Sequence, residues 1–226
     1  MKKIIYKKID KKTIGQLPQV HFQGKIVVVM SEQEAEKAID YLLTREKLGI
    51  DTETRPSFRK GERHKVSLLQ VSDEDICFLF RLNFTGITPA IKRLLENKEV
   101  PLIGLSLQDD IMSLQGREKF TPGNIIDIQN IVHEIGVEDM SLQKLYANLF
   151  RQKISKRQQL TNWDSDVLND KQKGYAALDA WACLQLYNEI QRLKTSQNFE
   201  LIIQSNETTE QVVSSEAKKA TSASSK

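Results

Sequence analysis

Two acidic residues one position apart could act together chemically. Asp51 and Glu53 are the only charged residues in the stretch 49–54. On a strand, side chains alternate between faces, so both carboxylates project from one face while Ile50 and Thr52 occupy the other. Neighbouring carboxylates repel each other and must share a proton or a cation. An isolated pair of this spacing is more often a solvated strand end or turn, so its meaning depends on partners elsewhere in the chain.

A third acid lies at the start of a predicted helix. The apolar residues 101–105 predict a strand, and Asp109 and Asp110 follow it shortly afterwards. Ser106 and Asp109 have the spacing of a capping box, which gives Asp109 a structural role at the helix N-terminus. Asp110 has no such role. We therefore interpret Asp110, and not Asp109, as the functional acid.

A fourth acid, Asp179, is the only charged residue between Gly174 and Tyr187. The helical spacing of Ala176, Ala180, Cys183 and later apolar residues predicts a helix face that packs in the core. A carboxylate bordering such a face is costly unless it is paired or binds a metal. Tyr175 lies one helical turn earlier and can face the same point. An ion pair between Asp179 and a lysine or arginine is the structural alternative.

The order of these acids, D-x-E, D and D, with a tyrosine four residues before the last, resembles the DEDD superfamily of 3′–5′ exonucleases. The tyrosine places the resemblance in the DEDDy branch, with ribonuclease D and the Werner syndrome exonuclease domain. The histidine-carrying branch would have His at position 174, where this chain has Gly. Residues 67–71 and 160–180 also resemble segments of these domains. The resemblance covers roughly residues 25–192.

The resemblance implies an α/β fold, with a ribonuclease H-like mixed β-sheet flanked by helices in a single domain. It implies hydrolysis of DNA or RNA from a free 3′ end, with release of nucleoside 5′-monophosphates. Asp51, Glu53, Asp110 and Asp179 would hold two Mg²⁺ or Mn²⁺ ions, which prefer hard oxygen ligands, and Tyr175 would orient the attacking water. The alternative is a catalytically silent nucleic-acid-binding module of the same fold.

Residues near these acids are candidates for contact with nucleic acid. Phe58 lies among cations in the loop after the acidic pair, and an aromatic ring with cations suits a single strand. An ordinary solvated loop explains the same residues equally well. A second basic cluster at 151–157 precedes Trp163, which we interpret as a packing residue. The candidates are Thr52, Thr54, Arg55, Phe58, Lys60, Lys153, Lys156 and Arg157.

Composition favours a globular protein in a reducing compartment. Of the 226 residues, 39% are hydrophobic and 28% are charged, and the net charge of +3 does not by itself indicate nucleic acid. No stretch approaches the length of a membrane span, and the N-terminus lacks the apolar core of a secretory signal. Cys77 and Cys183 each lie in an apolar run and are predicted to be buried thiols. We expect a cytoplasmic location and no membrane partner.

The chain is predicted to divide into four segments. Residues 1–24 are lysine-rich and are expected to form a basic arm or a short helix outside the core, before a 3′–5′ exonuclease domain at 25–192. A C-terminal extension at 193–204 and a disordered tail at 205–226 follow, because the tail has almost no large apolar residues. Within the domain, we predict a strand at 26–29, a hairpin formed by 66–72 and 76–80, and a short strand at 125–128. A capping box of Ser31 and Glu34 predicts the start of a helix.

Overall fold

The computed structural model describes residues 2–59 and 61–203. In these residues the strands are β1 (Lys3–Tyr6), β2 (Lys25–Val29), β3 (Leu48–Thr54), β4 (Val66–Ser72), β5 (Ile76–Arg81), β6 (Leu102–Gly104), β7 (Ile125–Asp127) and β8 (Phe199–Ile202). The helices are α1 (Lys11–Gln16), α2 (Glu32–Leu42), α3 (Leu82–Thr85), α4 (Pro89–Leu95), α5 (Leu107–Gln115), α6 (Ile128–Ile131), α7 (Leu142–Phe150) and α8 (Asp170–Ser196). A 3-10 helix at Val132–Ile135 follows α6.

The central element is a six-stranded mixed sheet with the strand order β2-β5-β4-β3-β6-β7. Strands β3, β4 and β5 are antiparallel neighbours, whereas β2, β6 and β7 pair in parallel. The predicted α/β fold with a mixed sheet flanked by helices is confirmed, and so is the β4–β5 hairpin. The acidic pair lies on β3, which is the middle of this arrangement.

The strand register separates the two faces of the sheet. Ile50 and Leu69 belong to one buried cluster, which is covered by α2 and α4. Leu68 belongs to another, together with Ala176 and Ala177 of α8. Since Leu68 is the cross-strand partner of Glu53, the acidic pair faces α8. This alternation is the one that the sequence predicts for a strand.

Local signals in the sequence are confirmed in several elements. Ser31 and Glu34 form both hydrogen bonds of the predicted capping box at the start of α2. Cys77 and Cys183 are buried free thiols, and Trp163 is fully buried. Each of these features depends on residues close together in the chain or on strong hydrophobicity, which is why the sequence alone predicts them.

The N-terminal segment agrees with its prediction only in part: it contains the short helix α1, which has no buried residues, but the prediction is wrong for β1. β1 pairs in parallel with β8, and Ile5 is fully buried among residues of α7 and α8. The Asn148 side chain accepts a hydrogen bond from the amide of Tyr6 and donates one to its carbonyl, at 2.8 and 2.7 Å. Pairing between strands at opposite ends of the chain leaves no local sequence signal.

The C-terminal limits predicted from the sequence also differ from the observed elements. The limit expected at residue 192 falls inside α8, which continues to Ser196. The predicted extension at 193–204 contains the end of this helix and β8. The tail predicted to be disordered, at 205–226, lies outside the described residues. Among the helices that are described, none is long and apolar enough to cross a membrane.

Candidate active site

Strand β3 and helix α8 bring three carboxylates together. One oxygen from each of Asp51, Glu53 and Asp179 lies within 4.8 Å of the other two. This approach depends on Gly49, because an added Cβ atom there would lie 2.0 Å from the carbonyl oxygen of Ala180. Only glycine therefore allows α8 to lie this close to β3. The helix itself begins with a capping box of Asn169 and Gln172.

Asp110, in the first turn of α5, lies close enough for its charge to act on Asp51 and Glu53 but is not one of the three carboxylates that meet within 4.8 Å. The hydroxyl of Thr52, which lies between Asp51 and Glu53 in β3, donates a hydrogen bond to the carboxylate of Asp110. Asp109 is exposed, whereas Asp110 is partly buried. The structure thus places Asp110, and not Asp109, against the strand that carries the other acids.

The capping box predicted for Ser106 and Asp109 is wrong. Ser106 has a left-handed backbone conformation with φ of 60°, and its side chain caps nothing. The carboxylate of Asp127 at the end of β7 accepts hydrogen bonds from the amides of Ser106 and Leu107 instead, at 3.0 and 2.8 Å. The capping group of α5 comes from another strand, which the S-x-x-D spacing could not predict.

Burial and mutual repulsion oppose ionisation of the four acids. Burial raises the pKa of Glu53 to about 10, and the charges of Asp51, Asp179 and Asp110 add to the shift. The pKa of Asp51 is raised well above its ordinary value, by burial first and then by Asp179 and Asp110. Burial also raises the pKa values of Asp179 and Asp110. Four carboxylates cannot all be charged here without a positive partner.

Protein cations do not supply that positive charge in the described part of the chain. No lysine or arginine there forms an ion pair with Asp51, Glu53 or Asp179. The ion-paired alternative for Asp179 is therefore contradicted for these residues. The buried Oδ1 atom of Asp179 also has no hydrogen-bond partner among them. Such an oxygen in a set of carboxylates fits a hard divalent cation.

A cavity of about 260 Å³ opens onto these acids, and we call it the acid cavity. Tyr175 lines it, and burial together with the negative charges of Asp179 and Glu53 raises the pKa of its phenol. The Tyr175 ring packs beside Trp163, with ring centroids 6.2 Å apart. Cys183 also lines the cavity, but among the described residues the ligand atoms that lie within 4.8 Å of one another belong to Asp51, Glu53 and Asp179. The ligands available to a cation are consequently oxygens.

Some predicted nucleic-acid contacts lie at the acid cavity and others beside it. Thr52 and Lys156 line the acid cavity itself. Arg157 lines a neighbouring cavity that also includes Tyr175. Arg55 and Phe58 line a third cavity, of about 370 Å³.

The remaining candidates have other surroundings. The ammonium of Lys153 donates a hydrogen bond to the carbonyl of Gly15, at 2.6 Å, and so holds the N-terminal segment. Thr54 ends β3 opposite Val66, beyond a register shift. Lys60 lies outside the described residues. Lys153 and Thr54 thus occupy structural positions, and neither lines the acid cavity.

Several residues of the acid cavity are not among those predicted from the sequence. Ser141, Gln143 and Gln159 contribute polar groups to its wall. No charge, motif or periodicity marks Ser141 and Gln143 in the sequence. Gln159 could have been suspected, because it lies three residues after Lys156 in the basic cluster. Gln172 holds this segment by donating hydrogen bonds to Thr161 and to the carbonyl of Asn162.

Comparisons with known proteins agree with this geometry. A curated relative, the bifunctional 3′-5′ exonuclease/ATP-dependent helicase WRN of Mus musculus, is 27% identical over 196 residues, which is 82% of this chain and 14% of that protein. The chain thus spans a small part of that relative's length. The solved structure of the Aedes aegypti Nibbler EXO domain has a TM-score of 0.72 at 20% identity and covers 80% of this chain and 95% of that one.

A second solved structure shares the fold. Trypanosoma brucei RNase D, in complex with RNA U12, has a TM-score of 0.65 at 20% identity and covers 75% of this chain and 63% of that one. A family model described as 3′-5′ exonuclease matches residues 26–195, which include all four acids and Tyr175. The chain therefore belongs to the 3′-5′ exonuclease family.

Proposed function

We propose that this chain hydrolyses phosphodiester bonds at the 3′ end of DNA or RNA and releases nucleoside 5′-monophosphates, with two Mg²⁺ or Mn²⁺ ions as cofactors. The observation that carries this proposal is the meeting of Asp51, Glu53 and Asp179 within 4.8 Å, without a protein cation to neutralise them in the described residues. Asp110 would complete the ligand set. When bound, such ions supply a Lewis acid and a metal-activated water for phosphodiester hydrolysis.

The side chains of this site have different roles in the proposed hydrolysis. Asp51, Glu53 and Asp179 hold negative charge in a buried position, where it strongly favours binding of a divalent cation over exposed surface sites. Thr52 fixes the orientation of Asp110 by donating a hydrogen bond to it. Tyr175 keeps its proton at neutral pH, because even an unperturbed phenol has a pKa of about 10, so it serves as a donor that orients water or phosphate.

Nucleic acid as the substrate is supported by the chemistry of the rim and by the relatives. Lys156 is the one lysine or arginine among the described residues of the acid-cavity wall, where it can contact a phosphate. The Trypanosoma brucei RNase D structure contains RNA, and the mouse relative is named as a 3′-5′ exonuclease. These relatives support a nucleic-acid substrate with a free 3′ end. They do not distinguish DNA from RNA, so the test includes both.

The proposal is tested with labelled single-stranded DNA, 3′-recessed duplex DNA and structured RNA, each with Mg²⁺ or Mn²⁺. We expect release of 5′-monophosphates that EDTA abolishes. Asp51→Asn, Asp110→Asn and Asp179→Asn should each reduce turnover at least about 100-fold, because they remove cation ligands. Tyr175→Phe should lower kcat while Mn²⁺ binding, measured by calorimetry, stays as in the wild type.

Other results of these assays would contradict the proposed hydrolysis or favour the alternative function. Full activity of Asp51→Asn, or activity that EDTA does not change, would contradict the proposal. Binding of nucleic acid without hydrolysis under any of these metal conditions would favour the silent binding module.

A further inference from the structure

A second cavity, of about 550 Å³, adjoins the acid cavity, and Tyr175 lines both. We call it the flanking cavity. Its walls come from the N-terminal segment that includes His21 and Phe22, from the segment before Trp163, and from the first turns of α8. Its volume is within the range of pockets that bind small molecules of nucleotide size. No step of the proposed hydrolysis uses it.

The segment 155–159 forms a partition between the two cavities. Lys156 and Gln159 line the acid cavity, whereas Ser155, Arg157 and Gln158 line the flanking cavity. The consecutive cations Lys156 and Arg157 are thereby divided between the two. A single strand carries one phosphate per nucleotide, so two neighbouring cavities that each hold at least one cation suit two successive nucleotides.

The charge of the flanking cavity favours an anion. Arg157 and Lys171 both line it and are exposed, and neither forms an ion pair with a residue in the ranges 2–59 and 61–203. Its one acid, Asp170, is 97% exposed and is paired with Lys173 at 2.7 Å. The cations of this wall therefore remain available to a phosphate.

Two aromatic rings of the flanking cavity are held in place by neighbouring tryptophans. Phe22 packs edge-on against Trp181, with centroids 6.0 Å apart, and Tyr175 packs beside Trp163. Ordered aromatic rings near cations are the surfaces on which bases of a single strand stack. The cavity thus offers binding groups for the base as well as for the phosphate of a nucleotide.

The N-terminal wall of this cavity lies before the segment that matches the family model. The match to the 3′-5′ exonuclease family begins at residue 26, after His21 and Phe22. The segment is anchored to the partition, since the amide of Val20 donates to the carbonyl of Lys153 at 3.1 Å and the amide of Lys153 donates to that of Pro18 at 2.9 Å. The side chain of Val20 is buried. These contacts fix the wall in position.

We propose that the flanking cavity binds the nucleotide on the 5′ side of the one being removed. This inference rests on the proposed exonuclease function, because the acid cavity then holds the terminal nucleotide and its phosphodiester. Arg157 and Lys171 contact a phosphate of the strand, and Phe22 stacks against its penultimate base. The N-terminal segment thereby becomes part of the substrate site.

The test compares two substrates that differ in this nucleotide. One is a ten-nucleotide single strand, DNA or RNA according to which the wild type degrades faster. The other is the 4-nitrophenyl ester of thymidine 5′-monophosphate, in which nitrophenol replaces the rest of the strand. The variant Arg157→Ala/Lys171→Ala removes two exposed cations, and Lys37→Ala/Lys98→Ala removes two lysines elsewhere as a matched control.

For the Arg157→Ala/Lys171→Ala variant, we expect KM for the strand to rise at least about fivefold, with kcat and the ester reaction unchanged. The slope of log KM against log salt concentration should fall by about 0.7 for each phosphate that the variant no longer neutralises. The control should match the wild type in all three measurements. An unchanged KM for the strand, or an equal loss with the ester, would overturn the subsite.

Two further outcomes complete the test. A strand with an abasic penultimate position should bind the wild type less tightly, and Phe22→Leu should remove this difference. Equal KM values of the wild type for abasic and normal strands would contradict the stacking role of Phe22. Failure of the wild type to hydrolyse either substrate with Mg²⁺ or Mn²⁺ would instead contradict the proposed exonuclease activity.

Discussion

At the scale of single residues, Glu53 carries the clearest electrostatic cost of the site. Its pKa rises from 4.5 to about 10 because it is buried beside Asp51 and Asp179. The folded state therefore keeps a proton that the unfolded state releases. Its contribution to stability is complete below pH 4.5 and is lost as the pH rises towards 10. A divalent cation at the site would offset this loss.

We predict that the melting temperature of the metal-free protein in EDTA falls as the pH is raised from 5 to 9. Glu53→Gln keeps the shape and removes the charge, so it should reduce this fall and add at least about 1 kcal/mol of stability at pH 8. Calorimetry at several pH values measures both effects. Glu46→Gln, at an exposed position, is the control. An equal pH dependence in Glu53→Gln and the wild type would contradict the prediction.

The identities of the acids could be predicted from the sequence, but not every contact that positions them. Strand alternation places Asp51 and Glu53 on one face, and helical spacing places Tyr175 and Asp179 near each other. These rules act over a few residues and are visible in the chain. By contrast, the hydrogen bond from Thr52 to Asp110 and the position of Gly49 under Ala180 depend on contacts between distant elements. No local pattern encodes such contacts.

At the scale of elements, helix α5 is capped at its N-terminus by a residue at the end of strand β7. Asp127 accepts hydrogen bonds from the amides of Ser106 and Leu107 and also from that of Gln129 at 2.9 Å, so it caps both α5 and α6. Asp127→Ala should lower the free energy of unfolding by about 1–2 kcal/mol for each cap that it removes. Ser106→Ala should change it by less than about 0.5 kcal/mol, because the Ser106 side chain caps nothing.

Chemical denaturation of the two variants measures this difference. If Ser106→Ala proved as destabilising as Asp127→Ala, the result would support the capping box predicted from the sequence. Turnover provides a second readout, because Asp110 lies in the first turn of α5. A loss of activity in Asp127→Ala at a temperature where it remains folded would show that the cap also positions this acid.

The close approach of α8 to β3 is the second prediction at this scale. Gly49→Ala forces a Cβ atom against the carbonyl of Ala180, so we expect a loss of about 2 kcal/mol or more together with at least about a tenfold loss of turnover. Gly174→Ala is the control in the same helix, since nothing lies within 4 Å of its added Cβ atom. That change should stabilise the protein by about 0.5–1 kcal/mol.

Guanidinium denaturation and single-turnover assays of both glycine variants provide the measurements. Wild-type stability and activity in Gly49→Ala would show that α8 can shift without disturbing Asp179. The opposite signs expected for the two variants separate the effect of helix contact from the general effect of replacing glycine.

At the scale of the whole molecule, the two ends of the described chain pair with each other in one small sheet. β1 and β8 pair although they lie far apart in the sequence, and this pairing fastens the N-terminal segment that borders the flanking cavity. The lysine-rich composition predicts an arm or a short helix outside the core at this position. Ile5, Ile9 and Val20 are buried in spite of that composition, because burial of each aliphatic side chain stabilises the segment by about 1.5–3 kcal/mol.

The contribution of the β1–β8 pairing to the free energy of unfolding is measured by replacing two adjacent isoleucines of β1. Ile5 is fully buried, whereas Ile4 is 48% exposed, so Ile5→Ala should cost about 2–5 kcal/mol and Ile4→Ala much less. Urea denaturation followed by far-ultraviolet circular dichroism gives both values. Because the wall at His21 and Phe22 is also anchored through Lys153, Ile5→Ala should retain hydrolysis of short substrates at low temperature. Wild-type stability of Ile5→Ala would mean that β1 adds nothing to the fold and that the arm predicted from the sequence describes it correctly.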